Sequence, residues 1–470
     1  MKAYKILLFI LLVISALGVV CYFFPPQGIT VGKFQLRFAR LDNVLAGQEP
    51  QLPEVTVEEE TIDYEYLAEC KDFEDSIHKI EVALVEKEGI FYFPNNDLTY
   101  FDRMFAEMEQ AQSRGQVVRV LHYGDSQIEM DRISAQLRSF FQSNFGGGGP
   151  GMLPLVQSVP SSAVNQSASG SFTKYSTYGD GSRCNGNYGI MATSFHLNGS
   201  AVFYANATKQ SSTDPRIRKF SDIKLLCHNR SGNFSAILKD RIHQTTDTCS
   251  TDQCGISCLQ WKLDSSTTSL QISMQGNTDI YGIMLDNGPG IAVDNIPMRG
   301  SSGDVFTKIT DTLLTTCYRQ SHVGLIILQY GGNTVPSLYS EKSVEAYCNN
   351  LQRQIRYIQR CCPSATLLFI GPSDMSTVKN GQLQTYPLLP LLVEKIKETA
   401  LANGVAYWDI YEVMGGQNSM IAWEQKGLAG PDYIHFTPAG ARKVAKILTN
   451  NFEMMYEHYK MKKGAPQPKN

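Results

Sequence analysis

A serine and a histidine, each close to an aspartate, are the residues of this sequence best suited to covalent chemistry. Ser126 ends the tripeptide Gly-Asp-Ser in "VLHYGDSQIEMDRIS" and follows an apolar run at residues 117–121. In the segment "GPDYIHFTPAG" (430–440), Asp432 precedes His435 by three residues. A serine hydroxyl becomes a strong nucleophile when a base removes its proton, and an acidic group can fix the tautomer of that base. The pattern therefore indicates nucleophilic catalysis by a serine.

Both motifs also have a purely structural explanation. A strand can end at Gly124 with Asp125 or Ser126 capping the next helix, and an isolated Asp-x-x-His is usually a polar surface turn or a helix cap. Two observations favour chemistry. We predict that His435 alone of the eight histidines has a suitably placed aspartate, and a further polar loop, "QYGGNTV" with Asn333, directly follows another apolar strand.

The elements that must position these loops have an α/β pattern. Apolar strands and helices alternate, predicted at 117–121, 131–144, 303–316, 323–330, 341–360, 366–371, 390–403, 405–410 and 438–458. Strands of continuous apolar character are typical of a parallel sheet covered on both faces, which predicts a doubly wound α/β fold with a mainly parallel sheet. Sites in such sheets form beyond the carboxyl ends of the strands, where the three polar loops lie.

An inserted domain interrupts this α/β pattern. Residues 156–290 contain short alternating segments separated by Gly, Asn, Asp and Ser, which predicts an antiparallel β-sandwich. The predicted organisation is, in chain order, a membrane anchor or signal segment (1–26), a stalk or linker (27–92), a first α/β part (93–155), the inserted sandwich (156–290), a second α/β part (291–460) and a basic tail (461–470).

The N-terminal segment predicts export. Nineteen residues without a charge, residues 6–24, follow Lys2 and Lys5 and precede two prolines. This length suits a membrane-spanning helix with its N-terminus in the cytoplasm. A signal peptide cleaved near residues 16–18 is the alternative. In either case the rest of the chain is expected on the periplasmic or extracellular side, anchored or secreted.

Composition limits the partners and cofactors. A net charge of −3, from 42 basic and 45 acidic residues, argues against a nucleic-acid partner because no basic field is available for phosphates. In an oxidising compartment, Cys249, Cys254 and Cys258 are close enough in sequence for a local disulfide. Together with His243 they match no standard zinc spacing, so neither a metal nor another cofactor is predicted.

The three polar loops together resemble the SGNH, or GDSL, hydrolase family. The resemblance implies that Ser126 is the nucleophile, His435 the base and Asp432 the group that orients the base. It also implies an oxyanion hole made by the backbone N–H groups of Ser126 and Gly300 and the side-chain amide of Asn333. Gly300 lies in "VDNIPMRGSSGD" (293–304), which is similar to the family's glycine block.

The order of the parts narrows the resemblance to cell-envelope members of that family. The loop "FGGGGPG", the inserted sandwich and "GIMLDNGPGIAVDNIPMRG" follow one another as in those members. They act on O-acetylated peptidoglycan or other acetylated polysaccharides and have a carbohydrate-binding-like sandwich in this place. The resemblance implies a polysaccharide O-acyl esterase that removes acetyl groups. An O-acetyltransferase using the same residues and a non-catalytic glycan-binding protein stay open as alternatives.

Overall fold

The chain forms two compact units, residues 1–63 and 64–470. The computed structural model describes residues 3–23, 25, 29–31, 34–36, 79–82, 84, 89–208 and 214–463. In the first unit these include helix α1 (Ala3–Phe23) and the antiparallel strands β1 (Ile29–Val31) and β2 (Phe34–Leu36). Across all the described residues, no helix has both the length and the apolar character that a membrane span requires. The anchor predicted at residues 6–24 stays a prediction, and most of the predicted linker lies outside the described residues.

The second unit alternates strands and helices before and after a long antiparallel region. Its described strands are β3 (Phe91–Tyr92), β4 (Val117–Gly124), β5 (Gly151–Leu153), β6 (Val164–Ser176), β7 (Thr193–Ala207), β8 (Phe220–Asn229), β9 (Phe234–Asp240), β10 (Thr246–Thr251), β11 (Gly255–Thr267), β12 (Ser269–Asp286), β13 (Gly290–Pro297), β14 (Val323–Gln329), β15 (Thr366–Ile370), β16 (Ser376–Lys379), β17 (Gln382–Thr385) and β18 (Ala406–Trp408). Its described helices are α2 (Asp102–Gln110), α3 (Ser134–Phe145), α4 (Asp311–Ser321), α5 (Glu341–Cys361), α6 (Leu389–Ala402), α7 (Ile410–Met414), α8 (Ser419–Gln425) and α9 (Pro438–Lys463).

A mainly parallel sheet is the centre of this unit. In the described part of the chain it has six strands in the order β13-β4-β14-β15-β18-β3, and only the edge strand β3 is antiparallel to its neighbour. Strand β14 is buried along its whole length, as expected of a strand covered on both faces. The predicted α/β fold with a mainly parallel sheet is confirmed. The strand order reverses between β4 and β14, which is where ligand sites form in open parallel sheets.

Two groups of helices pack with this sheet. Helices α4, α5 and α6 contribute Leu313, Leu351 and Ile396 to one large buried cluster. Helices α2, α3 and α9 meet in an aromatic cluster, where Phe452 lies 5.4 Å from Phe101 and 5.3 Å from Phe141 between ring centroids. The sheet is therefore held between helices that are far apart in sequence.

The inserted region is an antiparallel sheet of eight described strands, β5 to β12. The 18-residue strand β12 pairs along different parts of its length with β7, β8, β9 and β5, which joins all the strands by hydrogen bonds. The sheet has its own core, which includes Phe203, Trp261 and Ile272. The predicted antiparallel insertion is confirmed, and its first strand begins at Gly151.

A buried ion-pair network joins the two sheets. The guanidinium of Arg119 on β4 donates to Asp294 on β13 through Nε and Nη2, both at 2.7 Å, and to Asp286 on β12 through Nη1 at 2.7 Å. All three side chains are almost fully buried. Burial alone would lower the pKa of Arg119, but the two carboxylates outweigh it and raise that pKa. The network fixes the end of the inserted sheet against the parallel sheet.

Some elements differ from the sequence-based expectation. Strand β13 was not expected, although it pairs in parallel with β4 along eight residues. The helix predicted from residue 303 begins at Asp311, because Gly303 has a φ of 87° and Thr310 is extended, neither of which continues a helix. Residues Phe91–Tyr92, at the end of the predicted linker, form the edge strand β3.

Candidate active site

Ser126 lies where strand β4 ends at the reversal point of the sheet. After Gly124 the chain enters a short 3-10 turn, Ser126–Asp131, which is capped when Asp125 Oδ1 accepts a hydrogen bond of 2.9 Å from the N–H of Gln127. A Cβ on Gly124 would lie 3.0 Å from the side chain of Ile128, so the turn packs tightly against the end of the strand. Ser126 is thereby held at the carboxyl edge of the sheet.

His435 and Asp432 lie in the turn before helix α9. Oδ1 of Asp432 accepts hydrogen bonds from the backbone N–H groups of Ile434 at 3.0 Å and His435 at 3.1 Å. Oδ2 of Asp432 lies 2.7 Å from Nδ1 of His435. Tyr433 has a φ of 55°, a left-handed conformation that lets the chain fold back over three residues. The turn therefore fixes the imidazole through one ring nitrogen.

The structure brings the three residues together. Oγ of Ser126 lies 2.7 Å from Nε2 of His435, although 309 positions separate them. Burial raises the pKa of Asp432, but hydrogen bonds from the side chain and backbone of His435 outweigh burial and hold that pKa below its usual value. Asp432 is therefore a carboxylate able to accept from Nδ1, which leaves Nε2 free to take the proton of Ser126.

Ser126 and His435 line a cleft of about 540 Å³, here called the main cleft, together with Gly300 and Asn333. Gly300 has a φ of 75°, which favours glycine. One hydrogen of Asn333 Nδ2 goes to the carbonyl of Ser301 at 3.1 Å, and the second remains for a ligand. The predicted oxyanion-hole residues therefore share one cleft with the serine, and their role in binding an oxyanion stays a prediction.

Gln127, to which the sequence assigned no role, connects the two loops of the site. Its Nε2 donates to the carbonyl of Ile434 at 2.7 Å, and its Oε1 accepts from the N–H of Phe436 at 3.4 Å. The side chain that follows Ser126 thus bonds the backbone on both sides of His435. The only available signal was that Gln stands where the family motif Gly-Asp-Ser-Leu has Leu.

A charged pair forms another wall of the main cleft. Arg299 donates to both carboxylate oxygens of Glu129, at 2.7 and 2.6 Å. The side chain of Arg299 is 66% exposed, whereas that of Glu129 is 4% exposed. Met130 and Asp131, with φ of 59° and 57°, turn the chain directly after Glu129. The guanidinium is therefore fixed at the rim of the cleft.

Two buried groups beside Ser126 have altered acidity. Burial raises the pKa of Asp125 to about 6, against opposing effects of the Gln127 N–H and of His435. Burial lowers the pKa of His122 to about 4, so this imidazole is neutral between Ser134 and Gln329, whose oxygens lie 2.9 and 3.1 Å from it. His122 packs inside the sheet and does not face the main cleft.

One sequence-based prediction about histidines was wrong. His243 also follows an aspartate by three residues, and its Nδ1 lies 2.6 Å from Oδ2 of Asp240. The backbone N–H groups of Ile242 and His243 bond Asp240 Oδ1 just as in the turn at residue 432. The Asp-x-x-His spacing forms the same turn at both places, because the aspartate accepts hydrogen bonds from the backbone N–H groups two and three residues later. What distinguishes His435 is the serine opposite its second nitrogen.

The predicted local disulfide was also wrong. Cys249, Cys254 and Cys258 are all free thiols. Cys249 Sγ instead lies 3.1 Å from the carbonyl of Gln260 on the neighbouring strand. Among the described residues, no cluster of three or more His, Cys, Asp or Glu side chains could hold a metal ion.

Comparison with known proteins agrees with this geometry. Residues 264–443 match the GDSL-like Lipase/Acylhydrolase family. This part of the chain is therefore similar to GDSL-like lipases and acylhydrolases. The matched residues include His435, Asp432, Asn333 and Gly300. Ser126 precedes the matched residues, and the fold brings it to His435. A search of curated proteins gives no match to the chain.

Solved structures resemble this chain to different degrees. The structure titled "Peptidoglycan O-acetylesterase in action, 5 min" superposes with a TM-score of 0.61 and 20% identity over 77% of this chain and 97% of that one, which shows a shared fold. A family two carbohydrate esterase from Cellvibrio japonicus gives a TM-score of 0.26 and 10% identity over 63% of this chain and 99% of that one. A family two carbohydrate esterase from Clostridium thermocellum, in complex with cellohexaose, gives a TM-score of 0.26 and 10% identity over 61% and 100%.

Proposed function

We propose that the protein is a serine esterase that removes O-linked acetyl groups from a polysaccharide such as peptidoglycan. The observation that carries the proposal is the continuous hydrogen-bonded chain from Ser126 through His435 to Asp432, with 2.7 Å at each step, beside an open cleft. This arrangement supplies a nucleophile, a base and a group that orients the base, as serine hydrolases require.

Acylation begins when Oγ of Ser126 attacks the carbonyl carbon of the ester and its proton passes to Nε2 of His435. The N–H groups of Ser126 and Gly300 and the amide of Asn333 then stabilise the negative charge on the carbonyl oxygen. Each such donor contributes roughly 10²–10³-fold to the rate. Nε2 next gives its proton to the sugar oxygen as the carbon–oxygen bond breaks. The sugar leaves with its hydroxyl restored, and the acetyl group stays on Ser126.

Deacylation repeats the same proton movements with water as the nucleophile. His435 takes a proton from the water as its oxygen attacks the acetyl carbon. The proton then returns to Oγ of Ser126 as acetate leaves. Since the main cleft is open to solvent along the exposed face of His435, which is 39% exposed, water can reach the acyl-serine. A sugar hydroxyl at this position would instead give acetyl transfer.

The polysaccharide substrate is supported by the whole architecture. The fold is shared with a structure titled as a peptidoglycan O-acetylesterase over 77% of this chain. An antiparallel sheet with its own core is inserted between strands β4 and β13 of the parallel sheet, and we propose that it acts as a carbohydrate-binding module. The apolar segment at residues 6–24 further supports export, so we propose that the enzyme acts on the periplasmic or extracellular side.

Labelling of the full-length protein with a fluorophosphonate probe tests the proposal. We expect covalent labelling of the wild type and acetate release from O-acetylated peptidoglycan. Ser126→Ala should lose the label and lower kcat by roughly 10⁴-fold or more. Ser113→Ala, which removes an exposed serine at the end of α2, is the matched control and should keep both.

Two results would contradict the proposal. One is labelling or turnover that survives in Ser126→Ala. The other is a wild type that hydrolyses neither 4-nitrophenyl acetate nor O-acetylated glycans. Adding an unacetylated glycan acceptor separates the esterase from the acetyltransferase, because the acetyl group then accumulates as free acetate or as new glycan ester.

A further inference from the structure

A second cleft, here called the junction cleft, lies between the parallel sheet and the inserted sheet. It has a volume of about 500 Å³, within the range of cavities that bind small ligands. The inserted region contributes Lys174, Tyr178 and Asp180 to its lining, and strand β13 contributes Asn295 and Pro297. The two folding elements thus form this cavity together.

The junction cleft adjoins the main cleft. Glu129 and Arg299 line both cavities, and they form the two-fold hydrogen-bonded pair already described. Glu129 lies in the same short 3-10 turn as the nucleophile, three positions after Ser126. A chain-like substrate that places an ester at Ser126 can therefore continue past Arg299 into the junction cleft.

The floor of the junction cleft is rigid. Asp131 accepts from Arg138 Nη2 at 2.9 Å and from Ser161 Oγ at 2.7 Å, and both charged side chains are at most 3% exposed. Arg138 Nε also donates to the carbonyl of Val293 at 3.0 Å. These bonds join the nucleophile segment, helix α3, the loop at residue 161 and strand β13. The cavity is therefore formed before any ligand arrives.

The walls present mixed polar groups without an excess of either charge. Lys174 donates to Ser158 Oγ at 2.9 Å, which holds its ammonium group at the cavity wall, and Asp180 is exposed nearby. The cations of Lys174, Arg138 and Arg299 are balanced by the carboxylates of Asp180, Asp131 and Glu129. Tyr178 adds an aromatic ring. Such a set of donors, acceptors and one ring fits the hydroxyl groups and apolar faces of a sugar better than a polyanion.

We propose that the junction cleft is a second glycan subsite, which binds the sugar unit next to the one that carries the acetyl ester. The inference rests on the proposed function, because it assigns to the same polysaccharide a second point of contact. The junction cleft gives the enzyme a preference for acetylated polymers over isolated acetylated sugars. It also makes the inserted sheet part of the substrate-binding surface.

Chain-length dependence tests the subsite. The full-length enzyme is given an O-acetylated monosaccharide, disaccharide and tetrasaccharide from peptidoglycan, with 4-nitrophenyl acetate as a ligand too small to reach the junction cleft. We expect kcat/KM to rise roughly tenfold once the substrate spans both clefts, as the loss or gain of a hydrogen bond to a charged group predicts. Lys174→Ala and Asp180→Ala should each reduce that rise, chiefly through KM.

The matched control is Lys239→Ala, which removes an exposed lysine from strand β9 of the same inserted sheet, outside the junction cleft. It should leave the chain-length dependence intact. A wild type that hydrolyses 4-nitrophenyl acetate but shows no dependence on chain length overturns the subsite and leaves the esterase standing. Equal dependence in Lys174→Ala, Asp180→Ala and wild type also overturns it. Failure of the proposed function is different, because all esters, including the small one, would then be stable.

Discussion

At the scale of single residues, the turn that holds His435 has no chemistry of its own. The same aspartate-histidine turn occurs at Asp240 and His243, with equivalent backbone and side-chain hydrogen bonds. Of these two imidazoles, that of His435 has a serine hydroxyl against its second nitrogen, at 2.7 Å. The turn fixes the orientation of an imidazole. The hydroxyl of Ser126 gives the imidazole of His435 a proton to accept, so that it can act as a base.

Asp432→Asn tests the orienting carboxylate. An asparagine amide would favour the wrong tautomer of His435, so we expect kcat on 4-nitrophenyl acetate to fall by roughly 10²–10⁴-fold with little change in KM. Asp240→Asn makes the same change in the matching turn and should leave kcat per folded molecule unchanged. Equal activity of Asp432→Asn and the wild type would remove Asp432 from the mechanism.

Asp125 provides a second prediction at this scale, about stability. Burial raises its pKa from 3.8 to about 6, so the folded protein binds a proton more tightly there than the unfolded chain does. The free energy of unfolding should therefore fall, through this group, by about 2.5 kcal/mol as the pH rises from about 4 to about 7. Asp125→Asn should remove that part of the pH dependence in urea unfolding. An unchanged slope would mean that the buried carboxyl does not titrate as described.

At the scale of elements, the site depends on how the loop after β4 and the loop before α9 are joined. Gln127 bonds the backbone of Ile434 and Phe436, on either side of the base. Arg132 adds a further bond between the two loops, because its guanidinium donates to the carbonyl of Phe436 at 3.3 Å. The two loops come from distant parts of the chain, and these bonds hold them together beside Ser126 and His435.

Gln127→Leu restores the residue of the Gly-Asp-Ser-Leu motif and removes both bonds. We expect kcat to fall by roughly 10- to 100-fold, since a misplacement of about 1 Å can cost that much, while KM changes little. The matched control is Gln136→Leu, which makes the same change at an exposed position on helix α3. If Gln127→Leu keeps full kcat and the same melting temperature, the two loops are positioned without this side chain.

At the scale of the whole molecule, Arg119 connects the parallel sheet with the inserted sheet through Asp286 and Asp294. Arg119→Met would leave two buried carboxylates without a counter-charge. We expect it to lower the free energy of unfolding by about 3–5 kcal/mol, measured by urea denaturation at neutral pH. The loss should be smaller in acid, where the carboxylates can take up protons. The control is Arg353→Met, which removes an exposed arginine. Equal stability of the two variants would contradict a stabilising role for the Arg119 network.

The architecture was predictable where a pattern is local and continuous. Strand β14 reads "VGLIILQ" without a polar interruption and was placed within one residue of its observed end. Strand β13 was missed because its signal, "GIAVDNIP", mixes apolar and polar residues, and the polar ones serve other contacts: Asp294 bonds Arg119. Such contacts between distant parts of the chain cannot be predicted from the sequence of one segment.

The residues of the candidate site could be predicted from the sequence, but the hydrogen bonds that connect its loops could be predicted only in part. The motifs placed Ser126, Asp432, His435 and Asn333 in one region, and the family resemblance added Gly300. All five line or adjoin one cleft. It could not show the link through Gln127 or the pairing of Glu129 with Arg299, because both depend on side chains that meet only after folding. The second cleft has the same origin, since its two walls come from different sheets.

The 309 positions between Ser126 and His435 have a consequence for biosynthesis. A nascent chain leaving the ribosome exposes its nucleophile long before the imidazole has been translated. Any product terminated early, however well its first strands form, lacks the means to activate that hydroxyl. The proposed esterase would thus be inactive during synthesis, and it would become active only after the segment that contains His435 has been translated and has folded.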